Sequence, residues 1–186
     1  MDNLGGRQLA VGQEAGQESA VQILVADDDG CQREFVSSAF ERVSGDCGVG
    51  VDLIEAQNGP EVVRWVARGG IQLVVSDVMM IGGNGPEAVS EFIDSPDSPH
   101  VVMMSGRVSP EQVPVLTRLF SNPKFLGVFP KPLSLESVGL LLTLASTRGQ
   151  IREDLADPSS DPGQIRQRIL DATRVACEAS GMSLRK

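Results

Sequence analysis

One stretch limits the fold more than any other: Ile71-Gln72-Leu73-Val74-Val75-Ser76-Asp77-Val78-Met79-Met80. An apolar run of strand length, without polar alternation, predicts a strand covered on both faces, as in a parallel sheet. The run carries one carboxylate, Asp77. A turn-rich break follows at Gly82, Gly83, Asn84, Gly85 and Pro86. In an open parallel sheet, sites collect beyond the carboxyl ends of the strands. Asp77 is expected at such an end.

The rest of the chain repeats the scheme. Val21–Ala26 predicts a first strand, and Asp27-Asp28-Asp29-Gly30 ends it. From Cys31 to Val43 the spacing turns helical, with Phe35, Val36, Ala39, Phe40 and Val43 as a core-facing stripe. Val49–Ala56 is the second strand. Asn58-Gly59-Pro60 starts the second helix, where Val62, Val63, Val66 and Ala67 face inward and Gly69-Gly70 closes. The third helix spans about 84–93, with Ala88, Val89, Phe92 and Ile93 inward. His100–Ser105 is the fourth strand. Ser109-Pro110-Glu111-Gln112 has capping-box spacing with proline at the first helical position. The fourth stripe is Val113, Leu116, Leu119 and Phe120, and Pro114 predicts an irregular start. Lys124–Phe129 is the fifth strand and ends at Pro130-Lys131-Pro132. Leu135–Ser146 is the fifth helix. Strands alternating with helices predict an α/β fold around a five-stranded parallel sheet with right-handed crossovers.

Charge narrows the function. Between residues 21 and 147 there are 8 Lys and Arg against 16 Asp and Glu. Phosphate-backbone binding needs clustered cations, so no nucleic-acid partner is expected. No apolar run reaches the 18 or so residues of a membrane span. The first twenty residues lack the cationic start and apolar block of a signal peptide. They read as a disordered tail, and the chain as cytoplasmic. Cys31, Cys47 and Cys177 lack metal-ligand spacing and read as isolated reduced thiols.

Five positions lie just beyond strand ends: Asp27 and Asp28, Asp77, Ser105 and Lys131. All are expected on one edge of the sheet. Three carboxylates brought together repel one another unless a cation intervenes. Mg²⁺ suits them, because it takes oxygen ligands and commonly binds one or two carboxylates plus a phosphate oxygen. A carboxylate can attack phosphorus, and phosphoryl transfer then needs positioning and charge neutralisation. Lys131 offers a second positive charge, and the Ser105 hydroxyl can donate to a phosphoryl oxygen.

These residues resemble the receiver domain of bacterial two-component response regulators, of the chemotaxis-receiver kind. The resemblance rests on Ile23-Leu24-Val25-Ala26-Asp27-Asp28-Asp29, Ala56-Gln57-Asn58-Gly59, Asp77-Val78-Met79-Met80 with Gly85, Met103-Met104-Ser105-Gly106, and Pro130-Lys131-Pro132. It covers residues 21–147, about two-thirds of the chain. It implies a flavodoxin-like sheet in the order 2-1-3-4-5. It also implies phosphorylation of Asp77 by a partner histidine kinase or phosphotransfer protein, with Mg²⁺. Asp27, Asp28, Asp77 and the backbone carbonyl of Met79 would hold the metal. Ser105 matches the switch hydroxyl and Lys131 the family lysine. The output would be contact with another protein, or a homodimer through the fourth-helix, fifth-strand, fifth-helix face or a C-terminal helix.

There are departures from the family pattern. Ile81 replaces the usual proline, and Val128 replaces the aromatic that commonly reports the switch. Phe129 beside it should point to the other face of the strand. Met79 and Arg107, two residues beyond Asp77 and Ser105, are expected to hinder an attacking water. After residue 147, Asp157–Gly163 reads as a linker and Gln164–Ala179 as one helix. The chain thus divides into a tail at 1–20, a receiver at 21–147, and a linker with a C-terminal helix at 148–186. It reads as a phosphoacceptor without a separate effector enzyme domain. Two other readings share the same residues. One is a phosphorylation-independent interaction module. The other is a Mg²⁺-dependent phosphohydrolase with an Asp nucleophile, which Met79 opposes by standing where such enzymes carry a second Asp.

Overall fold

The computed structural model describes residues 20–156, with side chains through Thr147. The expected N-terminal tail, the linker and the helix at Gln164–Ala179 lie outside the described residues. The elements run β1 (Val21–Ala26), α1 (Gly30–Cys47), β2 (Val51–Ala56), α2 (Gly59–Val66), β3 (Leu73–Asp77), α3 (Gly85–Phe92), β4 (His100–Ser105), a 3₁₀ turn (Pro110–Gln112), α4 (Val113–Leu119), β5 (Phe125–Pro130) and α5 (Leu135–Ala156). The five strands form one sheet in the order β2-β1-β3-β4-β5, all parallel. This is the flavodoxin-like order expected above.

Strand periodicity splits the core into two layers. Ile23, Val25, Leu73, Val75, Val102 and Met104 face α1 and α5, where Val36, Phe40, Val43, Val138, Leu141 and Leu142 close over them. Leu24, Ala26, Val74, Val101 and Met103 face the other way, onto Val62, Val89, Ile93, Leu116 and Leu119 of α2, α3 and α4. Val128 belongs to this second layer and Phe129 to the first, as the strand period requires. Covering both faces of β3 explains its unbroken apolar run. β2, at the edge, keeps Asp52 and Glu55 in solvent.

Several boundaries and burials differ from expectation. α1 begins at Gly30 and runs to Cys47, and its Phe35 is 49% exposed rather than part of the buried stripe. At 100° per residue Phe35 falls at the edge of the stripe centred on Val36, Ala39, Phe40 and Val43, and that edge faces solvent. On α4, Leu116 and Leu119 are buried, whereas Val113 and Phe120 are 51% and 59% exposed. Pro114 lies in the first turn of this seven-residue helix, which is entered through the 3₁₀ turn. A helix this short presents only two positions to the sheet. α5 continues to Ala156, past the residue 147 boundary. Among the described residues no helix is long and apolar enough to cross a membrane.

Candidate functional site

The carboxyl edge of the sheet brings four of the expected residues together. β1 and β3 pair with Ala26 beside Ser76, so Asp27 and Asp77 emerge as neighbours. Asp27 is held at every polar group. Its N–H donates to the Ala56 carbonyl (3.2 Å), its carbonyl accepts from Arg33 (2.7 Å), and its Oδ1 accepts from the Asp29 N–H (3.0 Å). Asp29 caps α1 by accepting from the N–H groups of Cys31 (2.8 Å) and Gln32 (3.4 Å), the role its position before the helix predicts. That cap turns the chain sharply after Asp27 and leaves Asp28 exposed beside it.

Lys131 arrives from the far side. Its N–H donates to the Ser105 carbonyl (3.1 Å), which anchors the loop after β5 to the end of β4. Its Nζ lies 2.6 Å from Asp27 Oδ2 and 2.8 Å from Asp77 Oδ2. A single ammonium thus neutralises part of the charge of two buried acids. Burial pushes the Asp77 carboxyl above its usual range. The Lys131 hydrogen bond and charge oppose that shift, the Asp27 charge adds to it, and the Met79 N–H lowers it. Burial would depress the Lys131 ammonium, but its two carboxylate partners outweigh this and hold it above its ordinary value.

Asp27, Asp28 and Asp77 each offer a carboxylate oxygen, and the three lie within 4.8 Å of one another. Hard oxygen donors at this separation suit Mg²⁺ better than a soft or nitrogen-preferring ion. Asp28 is steadied by accepting from the Ile81 N–H (3.0 Å). This bond ties the first acidic loop to the loop after Asp77. Met79, two residues beyond Asp77, is 51% exposed.

Ser105 is at the right edge but is otherwise engaged. Its hydroxyl donates to the Arg107 carbonyl (2.6 Å) and accepts from the Arg107 N–H (3.0 Å), so it closes its own turn. His100 is buried, with its Nδ1 3.3 Å from the Lys124 carbonyl, in keeping with a structural role.

Three supporting residues make contacts that sequence reasoning did not foresee. Gly85 starts α3 against the Asp77 backbone. A Cβ there would collide with the Asp77 carbonyl oxygen and approach Ser76 Oγ within 2.8 Å. Gln112, buried in the 3₁₀ turn, donates to the Val78 carbonyl (3.3 Å) and accepts from the Ser109 N–H (3.2 Å). Arg33 of α1 pairs with Glu55 of β2 (3.2 Å) while holding the Asp27 carbonyl. Capping-box spacing gives a sign of Gln112, but the Val78 bond and the other two roles leave no local signature.

The family model for the response regulator receiver domain matches residues 23–136. A DNA-binding transcriptional regulator, NtrC of Rhizobium meliloti (strain 1021), is 28% identical over 163 residues, covering 86% of this chain and 29% of that protein. The chain therefore spans under a third of that relative's length. The signal receiver domain of an HD domain-containing protein from Pseudomonas fluorescens Pf-5 superposes with TM-score 0.58 at 14% identity, covering 73% of this chain and 93% of that one. The chemotaxis response regulator CheY4 of Vibrio cholerae gives 0.51 at 20% identity, covering 64% and 93%. These structural likenesses establish the fold.

Proposed function

We propose, because the chain belongs to the response regulator receiver domain family of two-component systems, that Asp77 is its phosphoacceptor and that it signals by phosphorylation-dependent contact with another protein. The carrying observation is the Lys131 ammonium seated on both Asp27 and Asp77. That arrangement has a chemical use beyond capping a strand. An ionised Asp77 attacks the phosphorus of a phosphohistidine on a partner kinase or phosphotransfer protein. The P–N bond breaks, and an acyl phosphate forms on the carboxylate. Asp27, Asp28 and Asp77, with the Met79 carbonyl, would hold Mg²⁺, which neutralises charge on the phosphoryl oxygens. Lys131 can follow the negative charge from the Asp77 carboxylate to the phosphoryl group.

Ser105 must give up its Arg107 bonds to donate to a phosphoryl oxygen. That exchange would move the turn leading to α4. Val113 and Phe120 are exposed at the two ends of α4, which supports an output surface on the α4–β5–α5 side, for a partner protein or a second copy. Incubation with a small phosphodonor and Mg²⁺, followed by intact mass, tests the reading. One added phosphoryl group, lost in Asp77→Asn, is expected. No gain in the wild type would overturn it.

The closed Ser105 turn, with Ile81 and Val128 in place of the family's usual residues, favours a second reading, an interaction module that never becomes phosphorylated. The same mass experiment separates the two.

A further inference from the structure

Arg33 has no place in the chemistry above, yet it sits against the metal-binding acids. Its side chain is only 12% exposed, little for a guanidinium. It makes two directed bonds, with Nη1 donating to the Asp27 carbonyl (2.7 Å) and Nε donating to Glu55 Oε2 (3.2 Å). Glu55 is in turn approached by the Ser37 hydroxyl (3.4 Å) and sits on β2, in register with Val25 of β1. The Asp27 peptide is thus gripped from β2 on both sides. Its N–H is on the Ala56 carbonyl, and its carbonyl is on a guanidinium that Glu55 anchors. Asp28 follows directly, and among the described residues its carboxylate accepts from the Ile81 N–H. The direction of the Asp28 carboxylate therefore depends on how the Asp27 peptide is held.

We infer that Arg33 is a positioning residue for the divalent-cation site: with Glu55 it fixes the Asp27–Asp28 turn so that both carboxylates converge with Asp77. The inference rests on the metal-binding reading above. Electrostatics and geometry make opposite forecasts here, which gives the test its power. A cation beside three carboxylates repels Mg²⁺, so deleting it would tighten binding if charge were its main effect. If Arg33 acts by holding the turn, deleting it loosens binding, and partners behind metal ligands are typically worth about 10–100-fold in affinity. Lysine can make one of the two bonds but lacks the planar fork that makes both.

The test is calorimetric titration of the full-length protein with MgCl₂ at neutral pH, for wild type, Arg33→Ala, Arg33→Lys and Glu55→Gln. Arg33→Ala should weaken Mg²⁺ binding about tenfold or more. Arg33→Lys should recover part of the loss, and Glu55→Gln should weaken binding to a smaller extent. Thermal unfolding of each variant, run well above the titration temperature, separates a loss of fold from a loss of affinity. Should Arg33→Ala not fold, Glu55→Gln decides, because it spares the Arg33–Asp27 bond and only weakens its anchor, exchanging a carboxylate acceptor for a neutral amide oxygen. Unchanged or tighter Mg²⁺ binding in the deciding variant would overturn the inference and leave the metal site standing. A wild type that binds no Mg²⁺ would overturn both.

Discussion

At the residue scale the site is a balance between two buried carboxylates and one ammonium. Removing the ammonium leaves Asp27 and Asp77 facing each other without a counter-charge. Breaking such a buried pair typically costs about 3–5 kcal/mol. Lys131→Met should therefore lose about 3 kcal/mol of unfolding free energy in denaturant titrations without divalent cation, and recover much of it with Mg²⁺. The raised Asp77 carboxyl has a linked consequence. A native carboxyl above its unfolded value binds its proton more tightly when folded, so ionisation costs stability. The cost is full above the folded pKa and fades as pH falls from there towards the ordinary value of 3.8. Asp77→Asn mimics the protonated form. It should be at least as stable as the wild type at pH 7, with the gap closing as pH falls through that window. Unfolding both proteins across pH checks this, and a wild-type advantage that grows with pH would contradict it.

At the scale of elements, the loops after β3 and β4 matter most. α3 can start beside Asp77 only because residue 85 has no Cβ. Gly85→Ala must push the helix off the strand end, at about 1–3 kcal/mol by the usual cost of overpacking, and should slow phosphorylation. Gly139→Ala on α5 meets its nearest neighbour at 3.8 Å and serves as the control, expected to be neutral or slightly stabilising. Gln112 ties the two loops together through one buried amide. Gln112→Met keeps the volume but leaves the Ser109 N–H without its partner, a loss of about 1–3 kcal/mol. Amide exchange should quicken at the start of α4 and not in α1. This link supplies a physical connection between the loop after Asp77 and α4, where Val128 stands in place of the family's aromatic. Pro114 announced the weakness of α4, but its exposed Val113 and Phe120 were not foreseeable. Helical spacing assumes a full-length face, and seven residues do not provide one.

At the scale of the whole molecule, the two-layer core holds all five strand ends on one edge, so ligand binding there reports on global stability. A ligand present at 100 times its Kd adds about 2.7 kcal/mol. Saturating Mg²⁺ should raise the melting temperature by roughly 5–10 °C for a domain of this size. A chelator should reverse the rise, and Asp28→Asn should remove most of it. Calorimetric scans with and without metal check both. The strands and their alternation with helices were legible because their signals are local: unbroken apolar runs, helical stripes, and turn residues at the breaks. The identities of Asp27, Asp28, Asp77 and Lys131 were legible because each closes such a run. Sequence alone thus determined an α/β parallel sheet and which polar side chains stand along its edge. Only the tertiary structure decided how that chemistry is arranged. Lys131 meets Asp27 across 104 residues of chain, Gln112 meets Val78 across 34, and Arg33 meets Glu55 across 22. Ser105 lies on the expected edge, with its hydroxyl closed on Arg107. Such pairings depend on how distant backbones approach one another, and periodicity within a segment carries no record of that approach.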